Sequence, residues 1–154
     1  MENVSIIGVG RNALLDGIGI NIARANNFIV RNLTIRYNRI GQAHVASNYY
    51  ENVLDTAINS RMGARIRIDG NYYENVHNPI VSFYSKTQGY WDVADNVFDS
   101  VTWEENTSNG IVAGPNVGST VWDKPAYGYS LIPAADIKAC VLRNASVGKL
   151  DGCL

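Results

Sequence analysis

Asn48-Tyr49-Tyr50-Glu51-Asn52-Val53 recurs residue for residue as Asn71-Tyr72-Tyr73-Glu74-Asn75-Val76, an offset of 71 − 48 = 23 residues. A looser copy, Asn96-Val97-Phe98-Asp99-Ser100-Val101, follows after 96 − 71 = 25, and Asn32-Leu33-Thr34-Ile35 precedes the pair. Self-similarity at a period of about 20–50 residues marks a repeat architecture. Each unit also carries apolar residues ahead of its Asn: Phe28/Val30, Val45, Ile66/Ile68 and Trp91/Val93. Spacing by two is a strand signal; a helical repeat would need spacings of three and four.

A strand, a corner at Asn, a second strand and a loop make one turn of a β-solenoid. The predicted fold is all-β: a short β-solenoid. Asn suits the corner because its short amide tolerates left-handed backbone. Stacked on successive turns, Asn32, Asn48, Asn71 and Asn96 form an amide ladder with rungs about 4.8 Å apart. Two residues on, Tyr50, Tyr73 and Phe98 form a ring stack that ends at Thr34. One interval breaks the period: Asn32 to Asn48 is 48 − 32 = 16 residues, too short for a rung. Either that turn is tight or sequence is missing near residues 34–38.

The remaining elements follow from pattern. Val4–Val9 and Ile18–Ile22 read as short buried strands around the turn Asp16-Gly17. Asn26–Ile35, Ala43–Val53, Ala64–Val76 and Gly89–Val101 are successive rungs, and Ile111–Val112 adds a short strand. Thr102–Asn109 is a polar loop. Residues 114–133, rich in Gly, Pro, Ser and Tyr, form an extended tail along the coil. Pro133 opens a helix over Ala134–Asn144, with Ile137 and Val141 on its packed face, that covers the last rung. The division is rungs over 1–113 and a tail with capping helix over 114–154, within one domain.

The 154 residues carry a formal net charge of −1, so nothing draws the chain to nucleic acid or to an anionic membrane. No apolar run reaches the ~18 residues of a membrane span. Met1-Glu2-Asn3-Val4 has neither the basic nor the apolar region of a signal peptide. Cys140 and Cys153 lack metal-ligand spacing; they form a local disulfide if the protein is extracellular and remain free thiols otherwise.

Several segments resemble one family. Asn3–Gly10, Gly19–Ile22 and Asn27–Ile35 are similar to the opening rungs of the extracellular pectate lyases with a right-handed parallel β-helix. Arg39-Ile40-Gly41-Gln42-Ala43-His44-Val45 through Asn48-Tyr49-Tyr50 resembles their RxGxxHVxNNYY segment. Ile58–Ala64, Asn78-Pro79-Ile80, Gly89-Tyr90-Trp91 and Asp95-Asn96 resemble late rungs; Pro125–Tyr129 and Ser146–Lys149 resemble the tail. The resemblance spans nearly the whole chain in the family's order. It implies secretion, a monomer, polygalacturonate as acidic partner, and β-elimination in which calcium acidifies the C5 proton and an arginine abstracts it. The family's calcium-bearing motifs, WIDHC and DGLLDIK, are absent from this sequence. Aligning the second Arg of its RxPxxR motif with Arg39 puts Thr34 at the catalytic arginine and Arg36 at the proline. The central rungs are therefore expected to be missing, with a join near Arg36, and lyase turnover to be little or none. The catalytic residue is unassigned, and Arg36 is the first substitute base.

Arg39 and Arg61 are 22 residues apart, near one rung, and two stacked guanidiniums suit a chain of carboxylated sugars. The resemblance implies substrate contact for both. Tyr84 adds an aromatic face able to stack on a pyranose or, equally, to pack against the coil. His44 is expected to be structural, holding the cleft floor, and His77 to be a loop residue. Arg65 and Arg67 alternate with Ile66 and Ile68 and are expected to point into solvent. Asp92, Asp95 and Asp99 share a rung as ordinary outward positions, and Glu104-Glu105 sits in a loop. No metal site is expected from either group. The alternatives to a lyase are a galacturonan-binding remnant and a non-functional β-helix.

Overall fold

The computed structural model describes residues 2–7, 14–16, 26–31, 34–36, 41–105, 108–122 and 124–144. The chain divides into two compact units, Met1–Arg39 with Asn144–Leu154, and Ile40–Arg143. In the first unit, β1 (Glu2–Ile7) pairs in parallel with β3 (Asn26–Arg31), and β2 (Leu14–Asp16) with β4 (Thr34–Arg36). There Leu14 pairs with Thr34. Ile18–Ile22, Asn32 and the segment beside the expected join, residues 37–40, lie outside the described residues.

In the second unit the rungs coil through three sheets. β5 (Gln42–Ala46), β8 (Arg65–Asp69) and β11 (Tyr90–Ala94) make the first; β6 (Tyr49–Glu51), β9 (Tyr72–Glu74) and β12 (Val97–Asp99) the second. All these pairings are parallel, with Tyr50 on Tyr73 and Tyr73 on Phe98. The third sheet joins β7 (Ile58–Asn59), β10 (Ile80–Phe83) and β13 (Gly110–Val112); β13 runs antiparallel. Pattern reading missed β7 and β10. β7 is two residues long, and β10 is buried along its whole length, so neither shows a half-buried alternation.

Parallel register turns the sequence repeat into columns. Ile68, Tyr73, Val76, Ile80 and Trp91 are the buried centre, joined by Ile58. The rings of Tyr50 and Tyr73 stack at 4.8 Å and 4°, those of Tyr73 and Phe98 at 5.0 Å and 9°, and Trp103 meets Phe98 edge-on at 5.6 Å. The amide ladder is continuous over three rungs: Asn48 Nδ2 donates to Asn71 Oδ1 at 2.9 Å, and Asn71 Nδ2 to Asn96 Oδ1 at 2.9 Å. Each acceptor also takes the backbone N–H of the Asn above, at 3.0 and 2.9 Å. Left-handed backbone is not what selects these Asn residues. Positive φ falls one residue earlier, on Ser47 (57°), Gly70 (60°) and Asp95 (53°). It recurs at the next corner on Asn52 (52°), Asn75 (51°) and Ser100 (53°). There Asn75 Nδ2 donates to Asn52 Oδ1 at 2.6 Å, starting a second, exposed ladder.

The tail has two jobs. Residues 118–121 lie on the open edge of β11: Trp91 N–H donates to Thr120 Oγ1 at 2.9 Å, Val93 N–H to Ser119 Oγ at 2.9 Å, and Trp91 Nε1–H to the Gly118 carbonyl at 3.0 Å. Further on, Tyr127 and Tyr129 reach His44 and Asp69 on the outer side of the first sheet. Helix α1 (Ala134–Asn144) occupies its expected span. Its packed pair is Ile137 and Cys140; Val141 is only half-buried. Lys138 donates to Glu74 at 2.6 Å and stands over the Tyr49 ring, so α1 reaches the flank of the second sheet. Cys140 is not a free thiol; Cys153 lies outside the described residues.

Candidate substrate-binding face

The corners beside the third sheet bring together two of the three sequence-nominated binding residues. Arg61 follows β7 and Tyr84 follows β10, one rung apart (84 − 61 = 23). A guanidinium N–H of Arg61 donates to the Tyr84 carbonyl, which ties the cation to the Tyr84 backbone. Met62 N–H donates to Ser85 Oγ at 2.9 Å and to the Thr87 carbonyl at 3.0 Å, tying the two corners together. Tyr84 has φ 53° and is 62% exposed. A bulky residue in left-handed backbone is uncommon, and here core packing does not account for it. Arg61 is also exposed. A guanidinium and an adjoining ring face can take a uronate: the carboxylate on the fork, the pyranose on the ring. Arg39 lies outside the described residues.

The outer side of the first sheet holds a buried polar network. Parallel register sets His44, Arg67 and Asp92 in one column, with Asp69 two residues along from Arg67. Arg67 is only 8% exposed and Asp92 and Asp69 are fully buried, so the expectation that Arg67 and Asp92 point into solvent is wrong. The tail covers this outward face, and the buried charges are paired, as burial requires. Arg67 Nε–H donates to Asp69 Oδ2 at 2.8 Å and Nη1–H to Asp92. Asp92 also accepts from Ser119 Oγ at 2.7 Å.

Asp69 accepts from Tyr129 at 2.6 Å and from His44 Nε2 at 2.6 Å, while His44 Nδ1 lies 2.7 Å from the Tyr127 hydroxyl. Burial alone would raise the Asp69 carboxyl, but hydrogen bonds from Tyr129, His44 and Arg67 outweigh it and hold the group below its ordinary value. Arg67 is harder to deprotonate than usual: burial works against its charge, and the bonds to Asp69 and Asp92 more than compensate. These partners make His44 a structural bridge between β5, β8 and the tail. The network was findable in the sequence: Arg67 and Asp69 have the same strand parity, and Asp92 lies one rung beyond Arg67.

His77 is a rung-to-rung contact. It bridges Thr102 and pairs with Glu104 at 3.3 Å. Among the described residues no group of three or more His, Cys, Asp or Glu side chains could hold a metal ion. The donor set matches that: Asp92 is committed to Arg67 and Ser119, and Asp99 accepts from Tyr72 and Ser100. The described residues do not fit calcium.

No family model matches the chain. It is 42% identical over 113 residues to the pectate trisaccharide-lyase of Bacillus licheniformis, covering 73% of this chain and 30% of that protein. Pectate lyase II of Xanthomonas campestris superposes with a TM-score of 0.67 at 36% identity, over 81% of this chain and 40% of that one. Pectate lyase C of Erwinia chrysanthemi, solved at pH 9.5 with 30 mM calcium, shares the fold with a TM-score of 0.74 at 24% identity, over 99% of this chain and 48% of that one. The chain thus spans less than half the length of these three relatives. The rung register, the Asn ladder and this kinship together place the chain in the pectate lyase family of parallel β-helix proteins.

Proposed function

We propose that this protein is a secreted, monomeric lyase that cleaves polygalacturonate by β-elimination, and that Arg61 and Tyr84 hold the substrate. The observation that carries the reading is the 42% identity over 113 residues to a pectate trisaccharide-lyase. The exposed Arg61 and Tyr84 support it, because a cation and an open ring on neighbouring corners match a polymer of carboxylated pyranoses. Kinship to lyases favours catalysis over the binding-only and non-functional alternatives. β-Elimination removes the C5 proton and expels the C4 oxygen, so it needs a base and a means of acidifying that proton. Calcium is the cofactor the kinship implies. Since the described residues do not fit it, no step is assigned to the ion.

Thr34 stands where the family motif opens on arginine. Loss of a positioned base costs about 10²–10⁴-fold, so turnover is expected to be slow. The test follows ultraviolet absorbance of the unsaturated product from polygalacturonate, with calcium and with chelator. Slow product formation that falls further in Arg61→Ala is expected. No product above a protein-free control, with protein at substrate-comparable concentration, refutes the lyase reading.

A further inference from the structure

A second face of the coil, around the first sheet rather than the third, carries features the lyase reading does not use. A cleft of about 430 Å³ opens between that sheet's outer side and the tail, lined by Arg67, Asp95, Lys124, Tyr127, Tyr129 and Leu131 among others. That volume falls within the usual range of small-ligand sites. Its aromatic residues are open to solvent: Trp122 beside it is 70% exposed, Tyr127 58% and Tyr129 39%. A tail whose only work was to cover the sheet would turn these rings inward, as Trp91 and Tyr73 are turned.

Cations stand among the rings. Lys124 Nζ lies 4.9 Å from the centre of the Trp122 ring and Arg67 Cζ 6.0 Å from it. Polar anchors hold two of the rings in place: the Tyr127 hydroxyl on His44 and the Tyr129 hydroxyl on Asp69. These rings are therefore preorganised, which lowers the ordering cost of binding.

We infer that this cleft is a second, non-catalytic binding site for an acidic pyranoside, with Trp122 and Tyr127 as stacking faces and Lys124 as the partner of the sugar carboxylate. A ring face binds the apolar C–H face of a pyranose, and an ammonium beside it selects a uronate over a neutral sugar. Asp69 does not oppose this, because its charge is already met by Arg67, His44 and Tyr129; Asp95 remains the acidic group at the rim and receives sugar hydroxyls. The choice of polygalacturonate as the source of the uronate rests on the proposed function. The uronate chemistry itself rests on the rings and Lys124.

Affinity electrophoresis of the full chain through gels containing polygalacturonate or neutral galactan, with chelator present, tests the site. The variants are Trp122→Ala, Lys124→Gln and Arg61→Ala, each checked for an unchanged far-ultraviolet circular dichroism spectrum and unfolding midpoint. Trp122→Ala and Lys124→Gln are each expected to weaken retention about five- to tenfold, as truncation of a binding anchor does. Arg61→Ala is expected to leave part of the retention in place.

Unchanged retention in Trp122→Ala, retention lost entirely in Arg61→Ala, equal retention by galactan, or no retention of the unmodified chain would each overturn the inference. Should Trp122→Ala misfold, Trp122→Phe replaces it. Weakened retention from that smaller ring supports the site and unchanged retention overturns it. Product formation is scored separately, so a chain that binds through Trp122 without cleaving polygalacturonate sinks the lyase reading and leaves this site standing.

Discussion

Replacing Tyr73 with Phe is expected to stabilise the protein. Tyr73 is fully buried between the rings of Tyr50 and Phe98. Its hydroxyl is the one buried side-chain polar atom with no hydrogen-bond partner among the described residues. Stranding a hydroxyl in that way costs about 1–3 kcal/mol. Removing it leaves a void smaller than a methyl group, which returns a fraction of that gain. The column tolerates the swap, since the next rung already carries Phe98 at the paired position.

The net expectation for Tyr73→Phe is a gain of about 1 kcal/mol. Urea unfolding measures it as a higher midpoint at unchanged slope. A second reading comes from alkali. Burial raises the Tyr73 hydroxyl well above its ordinary value. Above the unfolded tyrosine value of about 10 the unfolded chain loses this proton while the native state keeps it, so native stability falls as pH rises. The variant should lose part of that alkaline slope. A fall in stability of about 1 kcal/mol or more would refute the reasoning, because it would mean the hydroxyl makes a bond worth keeping.

Other substitutions probe the remaining columns. Asn71→Ala removes the fully buried middle of the amide ladder, together with its bonds to Asn48, Asn96 and the Val45 carbonyl, and should cost about 3 kcal/mol in chemical unfolding; a cost under about 1 kcal/mol would show the ladder to be ornamental. Phe98→Ala should cost roughly 2–4 kcal/mol, at the lower end of a ring deletion because Phe98 is only half-buried. Gly89→Ala would drive a methyl to 2.3 Å from the Ser60 carbonyl carbon; a loss of about 1–3 kcal/mol is expected in thermal unfolding, and wild-type stability would show that the corner can yield. Asp69 binds its proton less readily in the native state than in the unfolded chain. Its contribution is therefore present above the unfolded carboxyl value of about 4 and is lost as pH falls below it. Asp69→Asn should flatten the acid limb of a stability–pH curve, and an unaltered limb would contradict the network.

Most of the coil was legible because parallel register copies sequence period into space. The Asn48/Asn71/Asn96 and Tyr50/Tyr73/Phe98 columns could be written from offsets alone, and the helix from Pro133 and its periodic face. What escaped lies in contacts that skip the period. Arg67 reads as outward by alternation, and it does leave the core side. The sequence does not announce that residues 118–131 fold back and bury it, since that contact spans 60 residues from Asp69 to Tyr129. β10 escaped for the opposite reason: it is four residues long and covered on both faces, its one polar residue, Ser82, buried with the rest, so no half-exposed alternation reveals its parity. Of the site, Arg61 and Tyr84 were named, but their junction through a carbonyl depends on two left-handed corners that composition does not encode.

A coil of stacked parallel strands presents a template at its end, and a template of that kind invites the next molecule to continue it. The reversal at β13 removes the invitation from the third sheet: Val112, Ile111 and Gly110 meet Val81, Ser82 and Phe83 running the wrong way for another turn of the same coil. Gly110 is what lets the reversed strand come in close, since a methyl there would sit 2.1 Å from the Ser82 carbonyl oxygen. Antiparallel pairing at this position thus acts as a stop signal against fibre growth. A side chain at residue 110 that loosened β13 would expose not merely a few apolar residues but a surface able to nucleate end-to-end polymerisation.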